Sequence, residues 1–248
     1  MFQIYTPRGI ENVQKHGVFM NYRDYIVFDF ETTSANPNTT QPVQLAAVVI
    51  HGRKLEIKPG TEFQSLIKPV FDEEECEKLG VDPLQPGAVA VHGKTQEILE
   101  EAPSLESVWA NFTEYVNEHN FKKNNWNAPI SVGYNIRGFD SIIVDRICCK
   151  APYNLGPKNE KRGGQELFNR INSIDLMDLM FIMFEDNKDV TSLSADNLIR
   201  GYMGYAKGTA HDAMSDVIMT AELFCRTMRM LRATAKRKQF KGAFADNI

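Results

Sequence analysis

The chain has 248 residues, 43% apolar and 24% charged, the balance of a globular domain with enough apolar residue to cover a sheet on both faces. Its formal charge of -4 excludes a protein that coats nucleic acid through bulk positive charge, but not one that holds a phosphate chain through metal ions and a local basic patch. Cys76, Cys148, Cys149 and Cys225 show no CxxC spacing, which argues against structural zinc or a disulfide framework and for buried thiols.

No stretch is apolar enough for a signal peptide or a bilayer span. A reducing, cytoplasmic setting without membrane contact is therefore expected, in the host cytoplasm if the chain is viral. Residues 1–24 are mixed and read as an arm or a short extra strand. Tyr25 to Phe30 form the first clear strand. Asp29 and Glu31 stand two apart at its end, so both carboxylates point the same way. Like charges side by side each raise the cost of ionising the other, so a partner is required.

"SANPNTTQP" is a turn-rich connection. Val43 to Ile50 is a nearly unbroken apolar run, expected as a strand buried on both faces. "EFQSLIKP" from Glu62 supplies a third strand, stopped by Pro69, which completes an antiparallel start. Residues 71–104 read as loops and short helices broken at Pro83, Pro86 and Pro103. From Ser104, the residues Leu105, Val108, Trp109, Phe112, Tyr115 and Val116 recur at helical spacing, with Ser104 as the cap.

"APISVGY" is a short strand, followed by a helix from about Gly138 to Cys149. "YNLGPKNEKRGGQELFNR" reads as an exposed insertion. Its Lys158, Lys161 and Arg162 suit phosphate contact, and a solvated loop explains them equally well. "NSIDLMDLMFIMF" passes from strand to helix around Asp175. "SLSADNLIRGYMG" and a long helix from about His211 to Arg229 close the domain, ahead of a basic tail at 231–248. Strands alternating with helices after three successive strands predict an α/β domain, a mixed central sheet with helices on its faces.

Acidic residues gather in three segments: Asp29 and Glu31 in "DFET", Asp140 in "YNIRGFDSIIV", and Asp212 and Asp216 after His211 in "GTAHDAMSDVIMTAELF". Hard oxygen ligands of this kind suit magnesium or manganese. Thr209 and Asp212 fit a capping box, which gives Asp212 a structural task. As a metal ligand it would instead share a helix face with Asp216. Asp216 stands among Ala213, Val217 and Ile218, where an unpaired carboxylate is costly and calls for a cation.

Taken with "FDFETTSANPNTTQPVQLAAVVI", "LQPGAVAVHGKTQEI", "SVGYNIRGFDSIIVDR" and "AHDAMSDVIMTAEL", these segments resemble the DEDDh 3'-5' exonuclease superfamily. The likeness is strongest to the exonuclease domain of the bacterial exonuclease I family, over residues 25–230. It implies an RNase H-like fold and a metal-dependent 3'-5' exonuclease that releases 5'-mononucleotides from single-stranded DNA. An exoribonuclease acting on RNA, or a non-catalytic nucleic-acid-binding module, are the rival readings. The resemblance assigns Asp29, Glu31, Asp140 and Asp216 to two Mg2+ or Mn2+ ions and His211 to the proton of the attacking water. The exonuclease I family carries further C-terminal domains that help clasp single-stranded DNA; this chain stops soon after its last helix, so they are expected to be absent and low processivity is the expectation. Beside these residues, Thr32 is expected near the terminal nucleotide and Phe30 or Phe139 near a base. Gln44 is expected to orient a neighbouring carboxylate.

Overall fold

The computed structural model describes residues 4–6, 9–11, 23–120, 123–124, 126–169, 171–205 and 211–238. In the N-terminal arm, β1 (Ile4–Thr6) and β2 (Gly9–Glu11) pair antiparallel as a two-stranded sheet. The main sheet contains β3 (Tyr25–Thr32), β4 (Pro42–Ile50), β5 (Phe63–Leu66), β6 (Ile130–Gly133) and β7 (Ser173–Asp175), in the order β5-β4-β3-β6-β7. β4 runs antiparallel to β3 and β5, whereas β6 lies parallel to β3 and β7. The short helices α1 (Glu73–Leu79), α2 (Pro86–His92) and α3 (Gln96–Glu100) follow β5, then α4 (Leu105–Glu118). α5 (Asp140–Cys149) follows β6, and α6 (Leu176–Phe184) follows β7. A π-helical segment, Ala195–Tyr202, precedes the final helix α7 (Ala213–Lys238).

The alternation along β3 divides the core. Ile26, Phe28 and Phe30 face one side, with Leu45, Ala47 and Val49 of β4, and pack on Trp109 and Phe112 of α4 and Ile143 and Ile147 of α5. Tyr25 and Val27 face the other side with Ala46 and Val48, and pack on Val217, Ala221 and Phe224 of α7. All nine residues of β4 are buried, as its apolar run requires of a strand covered on both faces. The result is an RNase H-like fold, a mixed sheet between helical layers.

Three helix limits differ from those read in the sequence, the start of α7 at Ala213 rather than about His211 among them. α5 begins at Asp140, because residues 134–139 turn between β6 and the helix. α7 continues to Lys238, well past Arg229. Its distal turns are held by Arg229, which donates to the Leu55 carbonyl, and by Arg232 Nη1, 3.0 Å from the Gly52 carbonyl. Thr209, expected as a cap, lies outside the described residues. Asp212 itself stands just before the first helical residue and accepts from the Ser215 N–H at 3.3 Å, the bond a capping side chain makes. Ser104 caps α4 in the same way, accepting from Ser107 N–H.

Candidate active site

The two-residue period of β3 decides which way its carboxylates look. Asp29 and Glu31 share the face of Tyr25 and Val27, the face covered by α7. Asp216 enters from the first turn of α7. Carboxylate oxygens of Asp29, Glu31 and Asp216 all lie within 4.8 Å of one another, close enough for one cation to be shared.

Asp140 reaches the same strand from the other layer. The β3–β6 ladder covers Tyr25 to Val27 only, so main-chain groups further along β3 need other partners. The Phe30 N–H finds one in Asp140 Oδ1, at 3.1 Å. The cap position of α5 belongs to Phe139, whose side chain makes no cap bond. Asp140 therefore anchors the strand end with one oxygen and does not cap the helix.

Electrostatics mark these acids as a set. Burial, then the charges of Asp140, Glu31 and Asp216, push Asp29 well above the usual carboxylate range. Burial raises Glu31 to about 8, against the opposing pull of Lys94 and with added push from Asp216, Asp212 and Asp140. Asp140 rises to about 7 through burial, although main-chain N–H bonds favour its charged form. Asp216 is also raised by burial, in spite of Arg200 and the His211 N–H. Without a cation the cluster resists ionisation, and bound divalent charge would reverse that.

A fifth carboxylate holds the scaffold. Asp175 is buried at the end of β7 and accepts main-chain N–H groups from Asn135 (2.9 Å), Met177 (3.0 Å) and Arg137 (3.1 Å). It thereby pins the 134–139 turn that delivers Asp140 and caps α6 at once. The turn also needs Gly133, since a Cβ there would stand 2.9 Å from the Ile136 Cβ.

His211 begins the segment before α7 with a left-handed backbone, φ 59°. Its N–H donates to Asp216 Oδ2 at 3.1 Å, which fixes that conformation, and its ring Nε2 lies 3.4 Å from Asp196 Oδ2. Arg200 Nη2 donates to Asp216 Oδ1, while its Nε lies 3.2 Å from Asp196 Oδ1. On the opposite flank, Lys94 Nζ is 3.7 Å from Asp212 Oδ1. Gln44 Nε2 donates to the same oxygen at 3.3 Å, so the carboxylate that Gln44 orients is Asp212.

The expected substrate contacts are spread differently. Thr32 is buried; its hydroxyl donates to the Ser34 carbonyl at 2.8 Å, and its carbonyl lies 3.2 Å from His92 Nε2. Since His92 Nδ1 accepts the Lys94 N–H, Nε2 carries the proton and donates to Thr32. Asp82 clamps the loop beyond, accepting from the hydroxyls of Ser34 (2.5 Å) and Thr39 (2.7 Å). Phe30 is in the core against Phe28, a packing position closed to a base, whereas Phe139 is only partly buried. Lys161 and Arg162 are exposed, and Lys158 pairs with Asn154 and Glu160. Their loop bonds to the C-terminal end of α5 through Leu155 and Gly156. Asp140 stands at the other end of that ten-residue helix, roughly 15 Å away.

Sequence reasoning did not single out Lys94, His92, Asp175, Asp196 or Arg200. Asp175 carried a usable signal, a carboxylate between an apolar strand and an apolar helix, where caps occur. Asp196 and Arg200 stand at i and i+4, which reads as a surface pair.

Carboxylates from the central strand, from the helix after β6 and from the last helix thus come together at one end of an RNase H-like sheet, the arrangement that the DEDDh resemblance implies. The chain belongs to the exonuclease family: the RNase_T family model, described as Exonuclease, matches residues 26–224. No curated protein matches it in sequence. Among solved structures it is similar to cell-death related nuclease 4 (CRN-4), with a TM-score of 0.62 and 18% identity over 84% of this chain and 64% of that one. It is also similar to E. coli Exonuclease I in complex with a dT13 oligonucleotide, with a TM-score of 0.59 and 21% identity over 85% of this chain and 43% of that one. A 3'-exonuclease that recognises the 3'-end of histone mRNA stem-loop gives a TM-score of 0.56 and 16% identity, over 85% of this chain and 65% of that one. At these identities the likeness is one of fold, and the chain spans less than two thirds of each relative.

Proposed function

We propose that the chain is a metal-dependent 3'-5' exonuclease that removes 5'-mononucleotides from single-stranded DNA, using two Mg2+ or Mn2+ ions. The observation that carries this reading is the meeting of Asp29, Glu31 and Asp216 within 4.8 Å, with Asp140 bonded to the strand between the first two. Oxygen donors alone, on elements already fixed by the core, suit a hard divalent ion. In this reading Asp29, Glu31 and Asp216 would hold the ions, with Asp140 beside them as a further carboxylate. When bound, such ions supply Lewis-acid activation of water and stabilise the leaving 3'-oxygen.

The chain's own residues do the rest. His211 takes the proton of the attacking water, as an imidazole does near neutral pH. Asp196 beside its Nε2 orients the ring. The clamped loop at Thr32–Ser34 lies at the strand end where the terminal nucleotide must rest, and Phe139 is the aromatic available to a base. Lys158, Lys161 and Arg162 meet phosphates further along the strand. Four free thiols suit a reducing intracellular setting, and among the described residues no helix is long and apolar enough to cross a membrane.

DNA is preferred as substrate because the likeness extends to Exonuclease I bound to dT13. The likeness to an RNA 3'-exonuclease keeps RNA as the second reading, since metal ions read phosphate rather than the 2'-position. The test is a panel of 5'-labelled single-stranded DNA, duplex DNA and RNA with Mg2+ or Mn2+. Stepwise shortening of single-stranded DNA supports the assignment, faster loss of RNA moves it to the exoribonuclease, and no release with either ion refutes catalysis.

A further inference from the structure

Arg200 stands where the acidic cluster most needs positive charge. Its side chain is 14% exposed. Nη2 is bonded to Asp216 Oδ1, and Nε is held at 3.2 Å by Asp196. Asp216 Oδ2 is taken by the His211 N–H. Both oxygens of Asp216 are thus engaged, yet one of them must join Asp29 and Glu31 if the three are to share an ion. Among the described residues, no other Lys, Arg or His forms an ion pair with Asp29, Glu31 or Asp216. A divalent ion and the Arg200 guanidinium therefore compete for the Asp216 carboxylate.

The anchoring geometry sets the fate of the guanidinium once an ion wins. Asp196 grips Nε, leaving the two terminal nitrogens as the movable part. Released from Asp216, they remain beside the cluster with several N–H donors and no carboxylate partner. A guanidinium in that position matches the paired oxygens of a phosphodiester, which it can bind through two parallel hydrogen bonds. We propose that Arg200 is a phosphate-binding residue for the substrate, parked on Asp216 in the metal-free protein and released to the phosphodiester when the carboxylates take up metal. The inference rests on the nuclease reading above.

Two variants test it, Arg200→Gln and Arg200→Lys, each first checked for folding by circular dichroism. Titration calorimetry of Mg2+ or Mn2+ into metal-free protein, without nucleic acid, should show about tenfold tighter binding for Arg200→Gln, because a charge-assisted competitor has gone. Steady-state cleavage of single-stranded DNA should show KM rising about tenfold with a smaller change in kcat, the pattern of a contact shared by ground and transition states. Arg200→Lys keeps the charge and should move both quantities in the same directions by less, so the inference stays testable if the glutamine variant does not fold. Unchanged or weaker metal binding in a folded variant overturns the parking of Arg200 on Asp216. Tighter metal binding with an unchanged KM overturns the phosphate contact. A wild-type protein that neither binds the ions nor cleaves DNA overturns the nuclease reading and this inference with it.

Discussion

Replacing Glu31 with glutamine should make the metal-free protein more stable at alkaline pH while destroying its use of metal. Burial, with Asp216, Asp212 and Asp140 around it, raises Glu31 from 4.5 to about 8. A folded-state value above the unfolded one means that the folded state holds its proton more tightly. That contribution to stability is intact below about pH 4.5 and is lost as pH climbs to about 8. An isolated group moved that far costs on the order of 5 kcal/mol at high pH. Glu31 is only partly buried, and solvent screening reduces the expected cost to roughly 2–3 kcal/mol.

For a chain of this size that corresponds to a melting temperature about 5–10 °C higher for Glu31→Gln than for wild type at pH 8.5 in chelator. Near pH 5 the two should melt within roughly 2 °C of each other, because little of the cost has yet accrued. Saturating Mg2+ should close most of the gap at pH 8.5. Ligand at 100 times its Kd stabilises wild type by about 2.7 kcal/mol, and the variant, short of one carboxylate, gains less. Thermal melts followed by circular dichroism from pH 5 to 8.5, with chelator and with Mg2+, give the full comparison. A wild-type melting temperature that stays flat across this range in chelator, or a variant that melts lower at pH 8.5, would refute the reasoning.

Asp175→Ala should lower stability by about 2 kcal/mol, by removing the acceptor of three part-buried N–H groups, and should cut kcat through the loosened turn before Asp140. Asp175→Asn, whose oxygen can keep the Asn135 and Met177 bonds, should recover part of both in denaturant unfolding and rate assays. His211→Asn tolerates the left-handed backbone and should reduce kcat by about 100-fold or more while Mg2+ affinity by calorimetry stays within about twofold; near-normal turnover removes the base. Neutralising Lys158, Lys161 and Arg162 together should raise KM for long single strands and shallow its salt dependence, by about 0.7 per lost phosphate contact. A dinucleotide should not respond, since their loop joins the far end of α5 from Asp140; equal effects on both substrates would place the loop at the terminal nucleotide.

Periodicity made much of the fold legible. The pairing of Asp29 with Glu31 followed from the strand period, the burial of β4 from an unbroken apolar run, and the α4 cap from Ser104 before a helical stripe. Errors fell where tertiary bonds set a limit. α7 runs on to Lys238 because Arg229 and Arg232 reach carbonyls of the turn after β4, more than 170 residues earlier. α5 starts late because Asp175 holds the preceding turn open. Gln44 was foreseen as an orienting group, but its partner, Asp212, lies 168 residues away and has no local signature.

The same distinction explains why the acids of the site could be read in the chain and its cations could not. A carboxylate placed in an apolar segment contradicts its surroundings, as Asp29 does after "YIVF" and Asp216 does beside Val217. That conflict is visible residue by residue, because an unpaired buried charge is too costly to be incidental. Arg200 and Lys94 sit in segments where a cation conflicts with nothing: one follows Asp196 by a helical turn, the other follows a glycine. Long side chains then carry their charge into the site from outside the sheet, Arg200 to Asp216 and Lys94 to Asp212. Their placement depends on reach rather than on period. A cation that arrives on a flexible stem can also leave, and that freedom lets Arg200 give way to metal while the carboxylates, fixed on strand and helix, stay where they are.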